Sequence, residues 1–171
     1  MTISLKDFCI SGQFGDVKPG MHISEVKRLL GTPDHEQDFD TGSSGIMYAW
    51  YEFFYFTDTK ILYAIQNDHL APFPNFKGAE KINAHKAEIE FENEQFRIDT
   101  WFLKPGVNIT YREIIDLLQK EGISFAEIED YSQGYIIEFE SGVRLDFDNE
   151  ENTVTSKADW ILNGMRLFRV E

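Results

Sequence analysis

A short segment that occurs twice constrains this chain more than any other feature. Lys18-Pro19-Gly20-Met21-His22-Ile23-Ser24 is answered by Lys104-Pro105-Gly106-Val107-Asn108-Ile109-Thr110. Lysine, proline, glycine and isoleucine are kept, and serine is answered by threonine. Two residues are then inserted in the second copy, after which Glu25–Leu30 aligns with Glu113–Leu118. Each copy reads as a turn followed by a helix start, because proline fixes φ and glycine accepts positive φ. Ser24 and Thr110 are the expected N-caps, and Glu113 three residues after Thr110 completes a capping box. Ile23, Val26, Leu29 and Leu30 fall on one helical face, as do Ile114, Leu117 and Leu118. Gly31 and Gly122 are placed to end the two helices. Helices this short are marginal alone, so each needs a surface to dock on.

β-sheet supplies that surface. Ile46–Phe56 is rich in aromatic strand formers and reads as one strand, with Asp58-Thr59 as a turn and Lys60–Gln66 as the return. Tyr135–Glu140 and Val143–Phe147 form a second hairpin across Ser141-Gly142. Ala87–Glu92 and Gln95–Phe102 read as a third, turning near Asn93-Glu94, and Trp160–Val170 as a last strand. Ala71–Gly78 has the Pro and Gly content of a linker whose two Phe hold it down. The expectation is an α+β fold of two tandem units, 1–78 and 79–171. Each unit is a short helix packed on an antiparallel β-sheet, and both lie in one compact two-repeat domain. Whether the two sheets join is left open.

Lys plus Arg number 16 against 30 Asp plus Glu, a formal net charge of −14. That sign repels phosphate backbones, which argues against nucleic acid, and favours encounter with a basic protein surface. Residues 1–85 hold 7 basic and 11 acidic side chains, and residues 86–171 hold 9 and 19, so the second half is the better electrostatic contact. With Cys9 as the one cysteine, no intramolecular disulfide forms. Its surroundings, interrupted by Lys6 and Asp7, fail as a lipoprotein cleavage site. With no signal peptide and no membrane-length apolar run, the expected location is the cytoplasm.

Chemistry is harder to find. His22, His35, His69 and His85 stand at no metal or triad spacing, and His35–Asp40 reads as a polar loop. Asp146–Glu151 fails as a calcium loop because Glu151 stands where glycine is needed for the turn. Glu88, Glu90, Glu92 and Glu94 alternate as the solvent face of a strand would. Cys9 has no activating neighbour in sequence, and no phosphate loop or nucleophile elbow occurs. No catalytic residue, metal or cofactor is therefore expected. In the strand read over 46–56, Tyr48, Trp50, Phe54 and Phe56 share one face with Glu52, and Tyr51, Phe53 and Tyr55 share the other. One face covers the helix; the second is either core or an exposed aromatic surface, which Tyr63, Trp101, Tyr135 and Trp160 would extend.

The run Gly20-Met21-His22-Ile23-Ser24-Glu25-Val26, then Leu29-Leu30-Gly31-Thr32-Pro33-Asp34, resembles a signature of the small α+β repeat shared by beta-lactamase inhibitory protein and the outer-membrane lipoproteins of the SmpA type. It covers the first half. In the second, Gln119-Lys120-Glu121-Gly122 replaces the leucine-glycine-x-proline element. The resemblance implies a protein-binding module in which two repeats join their sheets into a concave surface that grips an enzyme. By analogy, acidic stand-alone proteins of this size include immunity proteins that neutralise a basic toxin. The functional expectation is a non-enzymatic immunity or inhibitor protein that occludes a basic bacterial partner, with Glu138, Glu140, Asp146, Asp148, Tyr51, Tyr55 and Trp101 as contacts. A self-associating assembly or scaffold subunit, and a small-molecule binder or small enzyme, are the alternatives.

Overall fold

A computed structural model describes residues 1–130, 134–148 and 156–169. The chain opens with strand β1 (Thr2–Ser4) and helix α1 (Leu5–Ser11), then α2 (Ile23–Leu30). Four strands follow: β2 (His35–Asp38), β3 (Ser43–Tyr48), β4 (Tyr51–Phe56) and β5 (Leu62–Asn67). Helix α3 (Gly78–Ile89), strand β6 (Arg97–Asp99) and helix α4 (Tyr111–Glu121) come next. The chain then runs through β7 (Phe125–Asp130), β8 (Gly134–Phe139), β9 (Arg144–Asp148) and β10 (Ile161–Phe168). The fold is α+β. Eight strands form one antiparallel sheet in the order β2-β3-β4-β5-β10-β9-β8-β7, and β1 pairs in parallel with β6 as a separate ribbon. The sheet is continuous because β10 lies between β5 and β9.

The two Pro-Gly segments make the expected turns. Met21 N–H donates to Lys18 O at 3.3 Å, Val107 N–H donates to Lys104 O at 3.1 Å, and Gly20 and Gly106 take φ of 94° and 78°. Each turn leads into an edge contact with the strand that closes its meander. Ile23 N–H donates to Lys60 O and Leu62 N–H to Met21 O, while Tyr111 N–H donates to Trp160 O and Leu162 N–H to Ile109 O.

Several sequence expectations need correction. Thr110 caps α4 with the full capping box, but α2 is capped by His22, whose Nδ1 accepts the Ser24 N–H at 3.3 Å. His22 thus answers Thr110, and the two extra residues of the second segment lie before its cap. The strand expected over 46–56 is two strands, broken by a two-residue turn at Ala49-Trp50. Ala49 takes φ 49°, and its N–H is held by Asp34 Oδ2 at 2.7 Å. The hairpin expected over 87–102 is also absent in that form, because Gly78–Ile89 is helical. Glu88 therefore sits on α3, and the four alternating glutamates share no strand face. Asn93 does turn the chain, its N–H bonded to Phe96 O at 2.9 Å, but β6 then pairs with β1. Helix α1 carries no expectation from the sequence; Ser4 Oγ caps it by accepting the Asp7 N–H at 3.2 Å.

One hydrophobic cluster spans the molecule. It joins Leu5, Phe8 and Cys9 of α1, Val26 and Leu30 of α2, and Ile114 and Leu118 of α4 to the inward face of the sheet. Phe14 is its hub, within ring-contact distance of Phe8, Tyr51, Phe53 and Phe96 at 5.3–6.3 Å. Among the described residues, no helix is long and apolar enough to cross a membrane.

Candidate functional site

Strand pairing defines the outer face of the sheet residue by residue. Tyr51, Phe53 and Tyr55 point into the core at 0–3% exposure, so Glu52, Phe54 and Phe56 point outward. Following cross-strand partners, one outward row runs Met47, Glu52, Gln66, Arg166, Arg144, Glu138 from β3 to β8. The next row on one side runs Gly45, Phe54, Ala64, Phe168, and on the other side Gly164, Asp146, Ile136, Ile128.

The outer face has two chemically different halves. On the β3–β5 side lies an aromatic patch. Phe39 contacts Phe54 at 5.9 Å, Phe54 contacts Tyr63 at 6.4 Å, and Tyr63 stacks on Phe56 at 4.6 Å. Gly45 permits it: a Cβ there would stand 3.2 Å from the Phe39 ring. Phe39 is 38% exposed and Phe168, across Ala64 on β10, is 48% exposed. On the β9–β8 side the face is charged. Arg166 Nε donates to Asp146 Oδ2 at 2.5 Å and Arg144 Nε to Glu138 Oε2 at 2.6 Å. Burial pushes the Asp146 carboxyl above the usual aspartate range despite the opposing pull of Arg166. Burial also raises Glu52, against a hydrogen bond from Gln66 Nε2 at 2.7 Å.

The seven residues expected as contacts are thereby divided. Glu138 and Asp146 stand in the outward rows, Asp148 follows Asp146 on the same face of β9, and Glu140 is exposed in the β8–β9 turn. Asp146 itself is buried, at 4% exposure. Tyr51 and Tyr55 belong to the core, with the Tyr51 hydroxyl donating to Ile89 O and that of Tyr55 to Glu36 Oε1. Burial removes both tyrosines from any surface. Trp101 lies away from the sheet, packed on Phe102, with its Nε1–H directed at Glu121 Oε1 of α4 at 3.5 Å. The aromatics that do face outward, Phe54, Phe56 and Tyr63, occupy the opposite phase of the same alternation. Phe39 and Phe168 had no signal in the sequence beyond their hydrophobicity.

The histidines are accounted for structurally. His22 is a cap, and His35 lies on edge strand β2. His85 is buried, its Nδ1 accepting the Gly106 N–H at 2.9 Å; Nε2 therefore carries the proton and donates to Leu70 O at 2.8 Å. Burial lowers its pKa, which holds the ring neutral. His69 stacks on Trp50 with ring centres 4.0 Å apart, between Asp68 and Glu88. Cys9 is buried, and burial pushes its thiol well above the usual range. Among the described residues, no group of three or more His, Cys, Asp or Glu is arranged to hold a metal ion. Of the segment weighed as a calcium loop, 149–151 lies outside the described residues. Comparisons with protein families, curated proteins and solved structures returned no match.

Proposed function

We propose that this chain is a non-enzymatic protein-binding module, made of two copies of one helix-and-meander unit, that occludes a basic partner with the outer face of its sheet. The most concrete form of this reading is an immunity or inhibitor protein of the cytoplasm, where a lone reduced cysteine is at home. The observation that carries it is the aromatic patch of Phe39, Phe54, Phe56, Tyr63 and Phe168, partly exposed beside rows of charge on one sheet face. Large rigid rings beside polar groups are the composition of binding anchors, and soluble surfaces rarely leave such rings contiguous without a use.

Several paired details support the duplication. The antiparallel bridges His22↔Ile61 and Thr110↔Ile161 stand at the same point of each half. Tyr63 and Asn163 fall at the register shifts of β5 and β10. Glu36 on β2 and Glu127 on β7 each accept from one lysine and one tyrosine hydroxyl: Lys27 and Tyr55 for Glu36, Lys157 and Tyr111 for Glu127. The net charge of −14 favours a basic partner over a second copy of the same face, which would meet it with like charge.

The test compares capture by the intact chain and by Phe168→Glu, at about 50 and 300 mM salt, with sedimentation run on both. One basic protein recovered stoichiometrically, weakened by salt and lost in the variant supports the reading. Capture indifferent to Phe168→Glu overturns the assignment to this face. A dimer that dissociates in the variant replaces it with self-assembly.

A further inference from the structure

The glycine of each Pro-Gly turn has its N–H held, but by acceptors of different kinds. Gly20 N–H donates to Leu62 O at 2.8 Å, a backbone carbonyl that does not titrate. Gly106 N–H donates to His85 Nδ1 at 2.9 Å, a ring nitrogen that stops accepting once it is protonated. The other ring nitrogen, Nε2, donates to Leu70 O at 2.8 Å. Both tethered segments also grip β10 at neighbouring residues: Leu70 N–H donates to Asn163 O, and Leu162 N–H donates to Ile109 O. One imidazole therefore bridges the loop that leaves β5 and the turn that leads to α4, beside the strand that joins the two halves of the sheet.

The first turns of α3 have weak attachments of their own. The helix has no side-chain N-cap, buries only His85 and Ile89, and leaves Ile82 48% exposed. Its far end is fixed by bonds indifferent to pH near neutrality, from the Tyr51 hydroxyl to Ile89 O and from Asn67 Nδ2 to Glu88 O. Its near end depends on His85 and on the close seating of the turn, where a Cβ on Gly106 would stand 2.8 Å from Ile82 Cγ1.

We infer that His85 is an acid-sensitive clasp at the seam of the sheet: neutral, it holds Leu70 and Gly106 together, and protonated, it releases the 104–107 turn and the first turns of α3. A proton on Nδ1 sets donor against donor, the ring N–H facing the Gly106 N–H. The surroundings offer that charge no free counter-ion. Lys81, one turn back on α3, repels it, and Lys104 stands in the turn itself. Asp68 of the loop and Glu88 of α3 are engaged with His69, while Leu162 and Asn163 of β10 carry no charge. Burial lowers the ring's pKa, and the Leu70 and Lys104 backbones oppose that only in part. A ring held neutral by its setting supports the closed form fully above its ordinary value of 6.5, and that support is lost as pH falls toward the lowered one. The clasp stands whether or not the outer face binds a partner.

The test is amide exchange of the full chain from about pH 7.5 to 5, corrected for the intrinsic exchange rate. Below 6.5, opening at Gly106 should rise by up to about tenfold per pH unit, while Gly20, held by Leu62 O, keeps its protection. His85→Gln should remove this dependence and His69→Gln should keep it. In the intact chain, nitrogen NMR of the ring should find Nδ1 bare and Nε2 protonated at neutral pH, with a titration midpoint below 6.5. That readout decides the matter if His85→Gln does not fold. Equal loss of protection at Gly20 and Gly106, or opening at Gly106 that ignores pH, overturns the clasp. So does a dependence that survives in His85→Gln or vanishes in folded His69→Gln, and so does a ring that titrates at or above 6.5.

Discussion

Glu52 shows how the outer face trades stability for charge. It stands between Met47 and Gln66 in the central outward row, and burial raises its carboxyl above the ordinary 4.5. A carboxyl raised on folding supports the folded state fully below its unfolded value, and that support is lost as pH rises through the folded value. Glu52→Gln should therefore raise the unfolding temperature at pH 7 and leave it nearly unchanged at pH 4. Thermal melts across that range check it, and a loss at pH 7 would refute the sign. The period-2 alternation around Glu52 was readable in Tyr-Glu-Phe-Phe-Tyr-Phe. Which phase faces inward was not, because both phases are aromatic. The choice is made by Phe14, some forty residues earlier, which sits against Tyr51 and Phe53. Asp146 stands on the side of β9 opposite Phe147, and its burial depends on Arg166 and Gly164 of β10, which no local pattern announces.

At the scale of elements, the helix starts separate cleanly. Thr110→Ala should cost about 1 kcal/mol, the usual value for a lost cap, because it removes the hydroxyl that accepts the Glu113 N–H, while the Thr110 backbone N–H keeps its bond to the Glu113 carboxylate. Ser24→Ala should cost no more than a few tenths, since Ser24 lies inside α2 and His22 is the cap. Denaturant melts of both variants decide it; equal costs would contradict the His22 assignment. Helices α2 and α4 and the hairpins β4–β5 and β8–β9 were legible because turn residues punctuate strong apolar periodicity. Helix α3 was not. It buries only His85 and Ile89, so it has almost no apolar stripe, and Glu-Ile-Glu-Phe-Glu at its end imitates a strand. The turn at Ala49-Trp50 was hidden for a related reason. It contains no Gly, Asn, Asp or Pro, and its left-handed alanine is held by Asp34 from across the chain.

For the whole molecule, the question left open by the sequence was whether the two sheets join, and they do so through β5 and β10. No local pattern reveals this, because the pairing links residues about a hundred positions apart. A cut after residue 78 severs that seam, the β1–β6 pairing and the common core. Fragments 1–78 and 79–171 should each lack the near-UV circular dichroism of packed aromatics and regain it when mixed. The intact chain should melt in one transition. Independent cooperative melting of either fragment would contradict this. The central place of β10 also bears on how the chain is made. During synthesis β2 to β5 emerge early, but the inner edge of β5 has no neighbour until Ile161–Phe168 leaves the ribosome. About ninety residues of translation intervene, roughly 5–20 s at ordinary elongation rates. Through that interval an aromatic meander waits with an open edge, the condition under which nascent chains recruit chaperones or pair with one another on the same polysome.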